Sequence, residues 1–287
     1  WQSIDHIGLE ETYVTPSEDH YPGIDYFHIN SIDVEPDDNL LVSARETSAV
    51  YKIDRKTGEV IWRLGGKKSD FEMGPGTQFA FQHDARRLPD GTISIFDNGN
   101  LVFENGTPKA VEESRAIVLE LDEERMRASL VREYTHPEKQ YADAAGNMQV
   151  LPNGNVFVGW GRALAISEFS KDGELLFDFR VSPEHRSYRA FRFPWSGSPS
   201  DQPAAVAERT SENELEVYAS WNGATEVESW EVLAGPHPGR LESLGAITRD
   251  GFETAMLVQT SEPYIAVQAK HRSGRVLGTS QPVEALS

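Results

Sequence analysis

The chain has 287 residues, with 27 basic against 46 acidic side chains, a formal net charge of −19 and no cysteine. That charge excludes nucleic acid or an anionic membrane surface as the main partner, because both repel it. The absence of thiols excludes disulfide frameworks and thiolate metal sites, and no apolar run has the length of a membrane span.

In chain order, residues 1–14 (WQSIDHIG and on) open in an already structured pattern and read as the tail of an earlier β-unit. The expectation is that further sequence lies upstream, with the remaining units on that segment or on a separate chain. Residues 25–33, DYFHINSID, place His28, Asn30 and Ser31 among the apolar Tyr26, Phe27, Ile29 and Ile32. The pattern is that of a strand whose polar members need partners. Residues 78–91, QFAFQHDARRLPDG, repeat it with His83, Asp84 and Arg86.

Three segments share a grammar: residues 35–64, residues 88–134 and residues 151–181. Each opens on a Pro-Asp or Pro-Asn turn, followed by strands with alternate apolar residues. The anchoring Pro36, Pro89 and Pro152 lie about 50 to 60 residues apart, a period suited to four-stranded propeller blades with loop insertions. Each polar motif precedes its turn and belongs on an innermost strand, facing a central channel. Residues 187–195, SYRAFRFPW, read as the inner strand of a later blade. Asn105-Gly106-Thr107 is a glycosylation triplet and favours a secreted or extracytoplasmic protein.

The style changes at residues 196–207, SGSPSDQPAAVA, a linker-like stretch. Beyond it, strands around Trp221 and Trp230 and the alternating Tyr264, Val267 and Ala269 are similar to a fibronectin type III sandwich. The fold class is therefore all-β: a partial propeller over residues 1–195, six-bladed when complete, and a β-sandwich over residues 196–287. No chemistry is read in the second module.

The combination of DYFHINSID, SARETSAVYKIDRKTGEVIWRLGG, QHDARRLPDGTISIFDNG and LPNGNVFVGWG resembles the arylsulfotransferase family, in the branch common in fungal and actinobacterial genomes. The resemblance implies a sulfuryl transfer from an aryl sulfate to a phenol, through a sulfohistidine and without a nucleotide donor. It implies His28 and His83 as catalytic residues and Arg115 as the sulfate-binding arginine. The family's nucleophile is expected after the Gly-aromatic-Gly of the third repeat, but here GWGRALAISEF holds no histidine. Either His28 or His83 carries the group, or the channel runs another reaction.

Around these, Asn30, Asn98 and Asn147 are candidates to orient a ligand or a histidine. Trp160 is a candidate to stack on an aromatic substrate, or a core tryptophan. His6, Tyr188 and Arg189 are candidates to line the channel, and Arg45 reads as a salt bridge. His20, His136, His237 and His271 are read as loop or surface residues. No His-x-His or His-x₃-His pair occurs, so no metal is expected, and no cofactor. The expected partner is an aromatic, anionic small molecule. The alternatives are a cyclase or isomerase using the histidines as acid and base, or a non-catalytic extracellular binding protein.

Overall fold

The computed structural model describes residues 1–14, 24–99, 102–104, 107–109 and 113–286. His20, Asn105 and Gly106 lie outside the described residues. The chain divides into two compact units, Trp1–Arg192 and Phe193–Ser287. The described residues are almost entirely strand and turn, and no helix is long and apolar enough to cross a membrane.

In the first unit, β1 (Ile29–Val34), β2 (Leu40–Ala44), β3 (Ala49–Ile53) and β4 (Val60–Gly65) form an antiparallel sheet in chain order. β5 (Glu72–Met73) is a short strand that joins the second sheet. That sheet consists of β6 (His83–Arg87), β7 (Ile93–Asp97), β10 (Arg115–Asp122) and β11 (Arg127–Thr135), with β5 parallel to β11. A separate hairpin, β8 (Val102–Glu104) and β9 (Thr107–Lys109), interrupts it. The third sheet is β12 (Asn147–Val150), β13 (Val156–Gly159), β14 (Ala165–Phe169) and β15 (Leu175–Arg180), again in chain order.

The repeated turn has one chemistry. Asp37, Asp90 and Asn153 each accept a hydrogen bond from the backbone N–H two residues on, at 3.1, 3.0 and 3.1 Å. This local bond stabilises the reversal. The next residue takes the left-handed conformation in every case: Asp38 at φ 67°, Gly91 at 88° and Gly154 at 84°. Three matching turns place β1, β6 and β12 at equivalent positions, each an edge strand of its sheet.

Apolar alternation then stacks the sheets. On β10, Ile117 and Leu119 join a core with Leu41, Val50 and Trp62 of the first sheet. The intervening Ala116 and Val118 join Val156, Val158 and Trp160 of the third. β10 is therefore apolar and buried at four successive positions, Ala116 to Leu119, so the second sheet is the filling of the stack.

Two segments differ from expectation. Residues 1–14 contain no strand, only two 3₁₀ turns, Ser3–Asp5 and Leu9–Glu11. They insert Ile7 into a core with Val42 and Tyr51 on the outer face of the first sheet. Residues 187–195 also contain no strand. Side chains of β12 take over the pairing: Asn147 Nδ2 donates to Ala190 O at 2.8 Å, and Ala190 N donates to Asn147 Oδ1 at 2.8 Å. Gln149 holds Arg192 in the same two-way fashion, at 3.1 and 2.8 Å. Gly159 is required beside this clamp, because a Cβ there would lie 2.5 Å from Asn147 Oδ1 and 2.9 Å from Ala190 N.

The second unit has two antiparallel sheets. One is β16 (Ala204–Ser211), β17 (Glu214–Ser220) and β20 (Glu253–Gln259). The other is β18 (Ser229–His237), β19 (Arg240–Thr248), β21 (Tyr264–Lys270) and β22 (Val276–Thr279), with β23 (Val283–Glu284) also on β21. β16 starts inside the stretch read as a linker. Both sheets contribute to one core containing Trp221, Trp230, Val267 and Ala269, while Tyr264 is half-buried at its margin.

Asn147→Ala leaves the buried Ala190 N–H and C=O without their partner. The expected cost is about 2–4 kcal/mol, read as a lower urea midpoint with an unchanged m-value. A loss under about 0.5 kcal/mol would show that the clamp is not needed.

Candidate functional site

The first strands start at one end of the sheet stack, and the polar motifs gather there. β1 is entered through His28 at φ 56°, β6 through Phe81 at 52° with Asp84 at 54°, and β12 through Ala145 at 62°. Left-handed backbone at non-glycine residues carries strain, and such strain concentrates at functional sites. Register shifts between Ile29 and Ser31, and between His83 and Arg86, free Asn30 and Asp84 from the strand ladders.

Asn30 uses this freedom to join the two strands. Its Nδ2 donates to Gln82 O at 2.8 Å, and its Oδ1 accepts from Asp84 N at 3.2 Å. Its own carbonyl accepts from Arg189 Nη2 at 2.7 Å. Arg189 Nε lies 3.3 Å from the buried Asp84 Oδ1, an ion-pair contact without hydrogen-bond geometry. Arg86 Nε and Nη2 donate to that same oxygen at 3.0 and 2.8 Å. Tyr188 is exposed, lies edge-on to the His83 ring at 6.1 Å and sits under the Arg189 guanidinium at 5.4 Å. Thus Asn30, His83, Tyr188 and Arg189 come together, beside His28.

The two histidines differ chemically. His83 is buried, and both ring nitrogens are used. The Ala145 N–H donates to Nε2 at 3.2 Å, so Nδ1 carries the proton and donates to Asn98 Oδ1 at 2.7 Å. Asn98, also buried, donates to Ala142 O at 2.8 Å and Ala145 O at 3.0 Å. Burial holds the His83 pKa down at about 4, the nearby Arg45 and His28 adding to the effect against the Asn98 hydrogen bond. His83 is therefore a neutral cross-link between β6 and the loop before β12. Its Nε2 lone pair is engaged, and a nucleophilic role would require the Ala145 bond to break.

His28 is the opposite case. Its side chain is 42% exposed. Nδ1 bonds the Asp25 carboxylate, and Nε2 has no hydrogen-bond partner among the described residues. Glu46 Oε1 stands 3.8 Å from Nδ1. The backbone fixes this group from the β2–β3 turn: Arg45 N donates to His28 O at 3.0 Å and Glu46 N to Phe27 O at 3.3 Å. Arg45 Nη1 pairs with Glu46, Nη2 donates to Asp143 O at 3.0 Å, and the guanidinium covers the Phe81 ring at 4.9 Å. Arg45 Nε and Glu46 Oε2 are buried without hydrogen-bond partners. The salt-bridge reading of Arg45 thus accounts for only part of its donors.

Three other candidates sit elsewhere. Arg115 donates to Asp97 Oδ2 at 2.9 Å, Glu133 Oε2 at 2.8 Å and Gln78 O at 2.7 Å. Two carboxylates neutralise it, which removes the net positive charge that an anion clamp needs. Trp160 is fully enclosed, edge-on to Phe96 and His136, and donates to Ser167 Oγ at 2.9 Å. No face of it is open to a ligand. His6 stacks on Trp1 at 5.2 Å, beside the β3–β4 turn that Trp1 Nε1 caps at Gly58 O, 2.9 Å away. The structure places it there rather than with the histidine pair.

Sequence reading missed Asp25 and Glu46. The Asp-x-x-His spacing was visible in DYFH, but Glu46 reaches the site only through the β1–β2 pairing. His136 does lie in a loop, after β11, but it is buried rather than at the surface and bonds Asp178 Oδ1 through Nε2 at 3.1 Å.

At the opposite end, a cleft of about 530 Å³ is lined by Glu35, Asp37, Lys52, Arg87 and Glu123. Lys52 Nζ lies 2.9 Å from Glu35 and 2.8 Å from Asp37, and Arg87 Nε bonds Glu35 at 2.6 Å. Lys52 lowers the Asp37 pKa to about 2. These charges satisfy one another across the first two sheets.

The family model described as Arylsulfotransferase (ASST) matches residues 2–182. No curated protein matches the chain. Among solved structures, hydrazine synthase of Kuenenia stuttgartiensis aligns at 13% identity and a TM-score of 0.37, covering 90% of this chain and 60% of that one. Virginiamycin B lyase from Staphylococcus aureus aligns at 13% identity and a TM-score of 0.34, over 90% of this chain and 71% of the lyase. The PQQ-bound aldose sugar dehydrogenase of Streptomyces coelicolor aligns at 11% and 0.35, over 90% and 80%.

His83 gives a pH test. Its folded pKa of about 4 lies below the ordinary 6.5. The unfolded chain therefore binds the extra proton first, and stability falls as pH drops from about 6.5 towards 4. The loss from this group is expected to reach about 3 kcal/mol. Urea titrations of wild type and His83→Gln across this window measure it, and equal slopes in the two would disprove the assignment.

Proposed function

The chain belongs to the arylsulfotransferase (ASST) family, and on that premise we propose that it moves a sulfuryl group from an aryl sulfate to a phenol through His28. One observation carries the choice: of the two expected catalytic histidines, only His28 has a nitrogen, Nε2, without a partner among the described residues, and a carboxylate on the other. A hydrogen bond from Nδ1–H to Asp25 leaves the lone pair on Nε2, the arrangement that prepares an imidazole as a nucleophile.

In the first step Nε2 attacks sulfur, the S–O(aryl) bond breaks, and the phenolate leaves with the bonding pair. The imidazole becomes a sulfo-imidazolium whose Nδ1–H faces Asp25, and that negative charge stabilises it. In the second step the acceptor phenol oxygen attacks sulfur, the S–N bond breaks, and the electron pair returns to Nε2. The acceptor proton passes to solvent. A carrier on the first blade is compatible with the missing histidine of the third repeat.

Charge on the three sulfuryl oxygens needs donors. Arg45 and Arg189 fit better than Arg115, because each meets one carboxylate rather than two and keeps an Nε without a hydrogen-bond partner among the described residues. Phe81 and Tyr188 lie beneath the two guanidinium groups and offer apolar surface for the aryl ring. His83, Asn98 and Asn30 hold the strands that present these groups, and are positioning residues in this reading. The finer expectations accompany it: six blades in the complete propeller, a fibronectin type III-like second module with a docking role, and an extracytoplasmic location.

The test is nitrophenol release from p-nitrophenyl sulfate, with and without a phenol acceptor. His28→Ala is expected to abolish acceptor-stimulated release. Asp25→Asn is expected to lower it by about 10²-fold, the scale for losing a group that orients or activates a catalytic one. Mass spectrometry of the quenched enzyme should place one sulfuryl group on His28. Folded protein without release above the variants turns the reading to acid–base chemistry or to binding without catalysis.

A further inference from the structure

We propose that Asp25, His28 and Glu46 form a binding site for one divalent transition-metal cation. Their ligand atoms lie within 4.8 Å of one another. They come from two segments that the β1–β2 pairing brings together, so no sequence spacing announces them. One imidazole nitrogen with two carboxylates is a donor set for zinc, manganese or a related first-row ion. Calcium takes six to eight oxygens, which this set does not supply.

Glu46 supplies an observation separate from the clustering. Its side chain is only 7% exposed. Arg45 pairs with Oε1, while Oε2 is buried and has no hydrogen-bond partner among the described residues. A buried carboxylate oxygen left bare loses its hydration without compensation. A cation bound through the Glu46 carboxylate, whose Oε1 stands 3.8 Å from His28 Nδ1, would compensate that loss, with Arg45 remaining as the outer partner that orients the carboxylate. Asp25 and Glu46 balance the two positive charges of the ion. Asp25 and His28 are exposed, so the site has an entry path and room for water ligands.

The inference does not rest on sulfuryl transfer. It competes with it for one lone pair: an ion on Nδ1 takes the place of the proton shared with Asp25. The ring proton then moves to Nε2, which ceases to be a nucleophile. Metal occupancy and a His28 carrier are thus alternative states of the same ring.

The test uses the 287-residue protein after dialysis against a chelator. Calorimetric titration with Zn²⁺ alone, and with Mn²⁺ alone, is expected to show one site per chain, with a rise in Tm on loading. Asp25→Asn and Glu46→Gln are each expected to weaken binding by about 10- to 100-fold. Mn²⁺ should broaden the His28 ring resonances before those of any other histidine. Asp25 is exposed, so its variant keeps the test valid if Glu46→Gln fails to fold. Absence of binding at about 1 mM metal, the weak end of protein cation sites, would overturn the proposal. So would unchanged affinity in Asp25→Asn. Because the readout is metal binding, its failure leaves sulfuryl transfer untouched, and the reverse holds as well.

Discussion

The first strands of neighbouring sheets do not pair with one another through their backbones, and the site depends on how their edge groups are satisfied. Buried backbone N–H and C=O groups need partners. Here side chains supply them. Asn30 bridges β1 to β6, His83 and Asn98 bridge β6 and β7 to the loop before β12, and Asn147 and Gln149 bridge β12 to residues 190 and 192. Each bridge uses an amide or imidazole that both donates and accepts without a net charge. A carboxylate could only accept, and a lysine could only donate.

This constraint explains why the polar residues of the apolar motifs divide into two groups. Those that point sideways, towards the next sheet, are consumed by cross-linking. His83 and Asn98 belong to this group, although a histidine and an asparagine in a strand look equally well like chemistry. His28 lies one residue before β1 begins, at a left-handed position, and so escapes the ladder. Its exposure and its bond to Asp25 follow from that offset.

Electrostatics sorts the arginines by the same means. The chain is strongly acidic, and most guanidinium groups meet carboxylates. Arg115 is bracketed by Asp97 and Glu133, and Arg87 by Glu35 and Glu123. Arg45 and Arg189 are also paired, yet each retains a buried Nε without a hydrogen bond.

The sequence by itself determined the β-architecture of the repeats and the chemistry of their turns. Pro36, Pro89 and Pro152 mark reversals whose Asp or Asn side chain bonds its own neighbour, and such bonds are local. The alternate apolar residues of the repeats were legible as strands, but that β10 is buried on both faces over Ala116–Leu119 was not. The sequence did not forecast residues 1–14 or 187–195, because an extended apolar segment reads as a strand whether or not a partner strand lies beside it. Nor could it rank His28 above His83. That ranking depends on Ala145, which engages His83 Nε2 from 62 residues away in the chain, while no described residue engages His28 Nε2. Arg189 reaches Asn30 across 159 residues. Free lone pairs, neutralised arginines and a half-bonded buried carboxylate are properties of neighbours distant in the chain, and only the tertiary structure chose those neighbours.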